Sequence, residues 1–248
     1  MNKRMFLMAG LLCGLIVFAG GAQAGVLGSG FNLVDGTAGG SLQAGDKTFD
    51  NFFCSVITAP NTTPTSCSQI LVFPYQDNAG NLGIRYQAVF SASSAGSTTF
   101  ADVLLGYDVT APSATITDIH MHFNAAFLPT GTQATLLANI SEEVFGVIPN
   151  SGSVALAKIE VQASNPPPVL KADDFALLGG LYQKLHVDKD LSLLASVGTG
   201  DLPNGTVIFS TLDQTFSQSQ VVPEPGSIIL FGTALLGCAA LIRRRMAR

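Results

Sequence analysis

The sequence predicts an all-β body, a β-sandwich or jelly-roll-like domain, flanked by an N-terminal signal helix and a C-terminal transmembrane helix. Short segments rich in Val, Ile, Thr, Phe and Tyr recur between clusters of Gly, Pro, Asn and Asp, as strands between turns do. The interior lacks the apolar spacing of a long amphipathic helix. Long unbroken apolar runs stand only at the two ends.

Residues 1–24 divide into a basic start with Lys3 and Arg4, an apolar run from Met5 to Ala19, and the small-residue triplet Ala22-Gln23-Ala24. This is the layout of a secretory signal peptide, with cleavage expected before Gly25. The run is 15 residues long, against the roughly 20 that a spanning helix needs, so it predicts export and no permanent anchor. Cys13 follows Leu12 rather than a small residue and is expected to be apolar filler, not a lipidation site.

Residues 25–221 form the expected extracytoplasmic domain, one unit of ordinary size. Nine candidate strands run Phe52 to Thr58, Gln69 to Phe73, Leu82 to Phe90, Thr99 to Thr110, Thr115 to Phe123, Thr135 to Val147, Val154 to Gln162, Tyr182 to Ser196 and Thr206 to Thr211. Gly45-Asp46 is expected to turn a hairpin, with Phe49, Phe52 and Phe53 supplying core, and Gln76 to Asn81 to turn another. Pro166-Pro167-Pro168 is the strongest interior break. We expect a surface connection there, because the piece that follows is too short to stand alone.

The body's six Lys and Arg face sixteen Asp and Glu, a net charge of −10, against −5 for the whole chain. An acidic body without a basic cluster argues against nucleic acid and against anionic lipid head groups as partners. Cys54 and Cys67 are the body's only cysteines. Export places them where thiols oxidise, and a bridge across this short Pro- and Thr-rich loop would stabilise the fold by about 3 kcal/mol.

The tail reads Val222-Pro223-Glu224-Pro225-Gly226, then an apolar run over residues 226–242, then Arg243, Arg244, Arg245 and Arg248. As a helix that run would be roughly 26 Å long, a little under the roughly 30 Å hydrocarbon core. Moving each arginine to the membrane centre costs about 2.5 to 3.5 kcal/mol, so the cluster is expected to stay cytoplasmic as the anchor of a span with the body outside. The prolines keep the preceding strip extended and block outward continuation of the helix.

Triplet, short span and terminal arginines in this order resemble the PEP-CTERM sorting signal of exopolysaccharide-producing Gram-negative bacteria, over residues 222–248. The resemblance implies recognition by an exosortase, a membrane-embedded cysteine protease or transpeptidase, with processing near Val222 to Pro225. It implies an inner-membrane-anchored precursor, then a cell-surface or extracellular product, with exopolysaccharide and biofilm as its setting. Gly39 to Phe52 and Leu185 to Leu191 also look like recurring stretches of uncharacterised PEP-CTERM proteins with β-rich bodies.

Asp118, His120 and His122 alternate on a strand and would share one face, a pattern able to bind zinc. The reading preferred is a solvated face opposite Ile119, Met121 and Phe123, since half-buried strands alternate this way for packing alone, and the same holds for His186 beside Asp188. Glu142-Glu143 and Asp173-Asp174 are adjacent and should point to opposite faces, so neither makes a carboxylate dyad. Asp77 to Asn81 and Asp188-Lys189-Asp190 lack EF-hand spacing and read as turn chemistry and solvated charge. No nucleophile elbow, zinc-protease helix or phosphate loop is present. The expectation is a non-enzymatic protein with no catalytic residues, metal or cofactor. The alternatives are a carbohydrate-binding module, in which Tyr75, Tyr86, Tyr107 or Tyr182 would stack on sugar, and a metal-dependent adhesin or hydrolase.

Overall fold

The computed structural model describes residues 29–36, 39–94, 96–112, 114–129, 135–148, 152–165, 168–196 and 205–220. The expected signal segment 1–24 and the expected sorting tail 222–248 lie outside the described residues. Among the described residues, no helix is long and apolar enough to cross a membrane.

The chain builds β1 (Phe31–Asn32), β2 (Gly39–Ala44), β3 (Lys47–Thr58), β4 (Thr62–Thr63), β5 (Leu71–Gln76), β6 (Leu82–Ser93), β7 (Thr99–Thr110) and β8 (Ala114–Pro129). It continues through β9 (Thr135–Ile148), β10 (Gly152–Asn165), β11 (Val169–Lys171), β12 (Asp173–Tyr182), β13 (Lys184–Ser196) and β14 (Gly205–Gln220). These form two antiparallel seven-stranded sheets. The first runs β1-β5-β6-β14-β8-β12, with β4 also on β6, and the second runs β11-β10-β9-β13-β7-β3-β2. Consecutive strands repeatedly change sheet, so the body is a sandwich in which each sheet buries one face, as the period-2 pattern requires.

That pattern is clearest in β13, where Leu185, Val187, Leu191, Leu193 and Ala195 are buried while Asp188, Asp190 and Ser192 face out. Aromatic side chains fill the interior: Phe49, Phe52 and Tyr107 pack together in the core, and Phe90 lies flat on Phe209 with ring centroids 4.4 Å apart. Cys54 and Cys67 form the disulfide, both fully buried, with Cα atoms 6.0 Å apart. Cys54 belongs to the second sheet and Cys67 to a short 3-10 turn leading into β5 of the first, so the bridge ties one sheet to the approach of the other.

Gly45-Asp46 links β2 and β3 as a two-residue hairpin, and Gly45 takes the positive φ of 62° that such a turn demands at its first position. Asn51, with φ of 55°, bulges β3 between Asp50 and Phe53. The bulge corrects the expected core: Phe49 and Phe52 are buried, but Phe53 turns outward and is 38% exposed. The nine candidates omit β1, β2, β4, β11 and β12 and cut several others short, β14 by the most. The second half of β14 reads as polar (Asp213, Gln214, Thr215), yet these side chains are buried by flanking strands. β11 and β12 are edge strands with exposed faces and a glycine-containing irregularity near Gly179, so no clean alternation marks them. β10 ends at Asn165, before the prolines, and the strand that follows them, β11, is its antiparallel neighbour.

Candidate functional site

The outward face of the first sheet carries a cleft of about 580 Å³, lined by Tyr75, Asp77, His120, His122, Phe175 and Asp213 among others. Asp213, one of the lining residues, is held by a cross-strand partner that lies outside the lining. Arg85 of β6 and Asp213 of β14 are register partners, and the guanidinium donates to both carboxylate oxygens, Nη2 to Oδ2 at 2.6 Å. The same guanidinium lies 4.0 Å from the centre of the Tyr75 ring, which fixes the ring by cation–π attraction. Donation to Asp213, the largest influence, raises the Arg85 pKa above its ordinary value, and burial followed by the nearby Asp213 charge raises that of Tyr75.

The β5–β6 hairpin forms one wall. Asp77 Oδ1 accepts from the backbone N–H groups of Ala79 and Asn81 at 2.9 and 2.8 Å, and Oδ2 accepts from Asn81 Nδ2 and Thr215 Oγ1. Burial alone would raise this carboxyl's pKa, but those donors together hold it below the ordinary value. Gly80 completes the turn with φ of 90°. On the opposite wall His120 stacks on Phe175, ring centroids 5.7 Å apart and planes 18° apart, and Phe175 is 62% exposed.

Asp118, His120 and His122 do project from one face, with Ile119, Met121 and Phe123 buried opposite. The structure engages them separately: His120 Nε2 lies 3.0 Å from Asp118 Oδ1, and His122 Nδ1 lies 2.6 Å from Asp173 Oδ1 across the β8–β12 pair. Asp174 turns the other way, to Lys171 and the backbone of Glu160. On the second sheet His186 bridges Asp108 and Asp188, while Asn51 and Lys184 also donate to Asp108. Among the described residues, no three His, Cys, Asp or Glu side chains converge as a metal site.

The tyrosines expected as stacking platforms divide. Tyr75 lines the cleft, whereas Tyr86 and Tyr107 are fully buried with hydroxyls that have no partner among the described residues. Burial raises both well above their ordinary pKa. Lys189 is the largest departure from expectation. Read as solvated charge, it points inward from β13 with Glu142 and Gln214 as partners, and burial pushes its pKa well down. The signal was its register, since Lys189 holds the same parity as Leu185, Val187 and Leu191.

Residues 221–245 match the family model described as the PEP-CTERM protein-sorting motif. The expected Val222-Pro223-Glu224-Pro225-Gly226 and Arg243 to Arg245 fall within it. No curated protein matches the chain. Among solved structures, TmCBM61 in complex with β-1,4-galactotriose is 9% identical, covering 66% of this chain and 88% of that one with a TM-score of 0.27. The enzymatically active domain of bacteriophage CBA120 tailspike protein 4 is 16% identical over 67% of this chain and 19% of that one, with a TM-score of 0.28. The family 32 module of C. perfringens NanJ, in complex with galactose, is 9% identical over 51% and 93%, with a TM-score of 0.20. The sugars named with those proteins are properties of those proteins.

Proposed function

We propose that the chain is an exported, non-enzymatic protein of the cell surface or extracellular matrix of a Gram-negative bacterium, delivered through its tail and processed there by an exosortase. The carrying observation is the sorting motif over residues 221–245. In this reading residues 226–242 hold the precursor in the inner membrane, Arg243, Arg244 and Arg245 keep its end cytoplasmic, and cleavage near Val222 to Pro225 releases the acidic body. Exopolysaccharide and biofilm are its proposed surroundings. Replacing Pro223-Glu224-Pro225 with three alanines should leave export intact and retain an unprocessed, membrane-held form. Unchanged mature mass and unchanged release would defeat the proposal.

A second reading assigns the body glycan binding at the cleft. Supporting it are two aromatic faces, Tyr75 and the exposed Phe175, and a lining carboxylate, Asp213, with Arg85 holding both Tyr75 and Asp213 in place. Aromatic faces suit the C–H faces of sugar rings, and fixed carboxylate and imidazole groups suit their hydroxyls. The lining carries Asp77, Asp173 and Asp213 and, among the described residues, no Lys or Arg, which favours a neutral glycan over an acidic one. In affinity electrophoresis, a neutral exopolysaccharide should retard the protein, and Tyr75→Ala or Phe175→Ala should cut that retardation at least about tenfold in Kd. Equal retardation of wild type and both variants would remove the cleft from consideration.

A further inference from the structure

The interior of the sandwich holds a polar cluster that neither the cleft nor the tail uses. Lys189 of β13 and Glu142 of β9 are direct cross-strand partners in the second sheet. Gln214 of β14 and Met121 of β8 are direct cross-strand partners in the first. The two pairs meet across the core, and all four residues are at most 2% exposed. Lys189 Nζ donates to Glu142 Oε2 and to Gln214 Oε1, and lies 3.7 Å from Met121 Sδ. Gln214 Nε2 is held in turn by donating to the His120 carbonyl at 2.8 Å, while Glu142 Oε1 has no partner among the described residues. Along the three strands the cluster is bounded by buried Val187 and Leu191, Ile140 and Val144, and Leu212 and Phe216.

A carboxamide and a carboxyl thus both contact one amine where bulk water is excluded. Burial costs the charged amine heavily, so the pKa of Lys189 falls well below its ordinary value and the nucleophilic form is accessible. Holding such groups in contact replaces a bimolecular encounter by an effectively unimolecular one.

We infer that Lys189 and Gln214 join through an intramolecular amide bond, with Glu142 as the proton carrier, covalently tying the two sheets at their middle strands. The step begins with the lysine's excess proton resting on Glu142, which leaves both groups uncharged. The Nζ lone pair attacks Cδ of Gln214, and the carbonyl electron pair moves onto Oε1. That pair returns as the Cδ–Nε2 bond breaks. Glu142 takes one proton from Nζ and delivers one to Nε2, which departs as ammonia, so the carboxyl ends as it began and nothing is oxidised or reduced. β13 stands fourth of seven in its sheet and β14 lies between β6 and β8 in the other, so the bond would cross the centre of the sandwich.

The test is mass spectrometry of the full chain produced with its disulfide intact. Forming the bond removes one ammonia, so the wild-type mass should be low by about 17 Da beyond the disulfide. Lys189 is the last basic residue before Arg243, so trypsin should fail to cut after it and yield a peptide closed between Lys189 and Gln214. Glu142→Gln and Gln214→Met should both restore full mass and tryptic cleavage after Lys189. An uncrosslinked wild type, cut at Lys189 with no mass loss, overturns the inference whether or not either variant folds. A loss of about 18 Da, one water, would place the bond on Glu142 and overturn Gln214 as the acyl donor.

Discussion

Asp108 accepts from Asn51 and Lys184 and sits 2.7 Å from His186 Nδ1. Burial alone would raise its pKa, but the donors outweigh it and hold the carboxyl below its ordinary 3.8, as they do for Asp77. A depressed carboxyl stabilises the fold above its unfolded pKa, and that contribution disappears as pH falls through the folded one. Asp108→Asn should therefore lower the Tm at pH 7, and the gap to wild type should close below pH 3.8, as followed by circular dichroism. Asp102 has the opposite sign. Burial first, then Asp190 beside it, raises its pKa above 3.8, so ionisation at neutral pH works against folding. Asp102→Asn should raise the Tm at pH 7, and the gain should shrink on acidification as the native carboxyl takes up its proton. Inside the sandwich, Lys189→Met removes the amine together with its bond to Gln214 and should cost at least about 3 kcal/mol in denaturant unfolding, and adding Glu142→Leu should recover only part of it.

The bulge at Asn51 gives β3 a testable asymmetry between adjacent phenylalanines. Phe52→Ala should destabilise by about 3 to 5 kcal/mol, because a buried ring leaves a cavity, while Phe53→Ala should cost well under that. Strict alternation cannot assign both, since one extra residue reverses the parity, and nothing in Asp50-Asn51-Phe52-Phe53 announces the bulge beyond the tolerance of asparagine for positive φ. β7 was legible to the residue, Thr99 to Thr110, because its inward positions are almost all apolar. β14 was legible only to Thr211, since its second half fills the sheet centre with Asp213, Gln214 and Thr215, whose burial depends on partners distant in the chain. The cleft was half legible for the same reason. The His120 and His122 stripe can be read from one strand, but Arg85 meeting Asp213 and Tyr75 is a product of sheet order. At this scale the disulfide constrains a loop with a sequence separation of 13. Replacing Cys54 and Cys67 with alanines should cost about 3 kcal/mol in urea unfolding.

The whole molecule divides its charge between an acidic sandwich and a basic terminus, −10 in the body against four arginines in the last six residues. That division suits the proposed delivery: arginines resist translocation, whereas an acidic, bridged sandwich suits an oxidising space. The all-β body was foreseeable because two-sheet packing needs short alternating strands and frequent turns, which the interior supplies throughout. The ends and their triplet carry the account of delivery, and the body's cleft carries the account of what is delivered. Intact mass of the natural protein collected outside the cells tests the delivery directly. A chain starting at Gly25 and ending between Val222 and Pro225, with or without an attached group at that end, is the predicted result. A mature chain that still carries residues 226–248 would contradict sorting and processing through the tail.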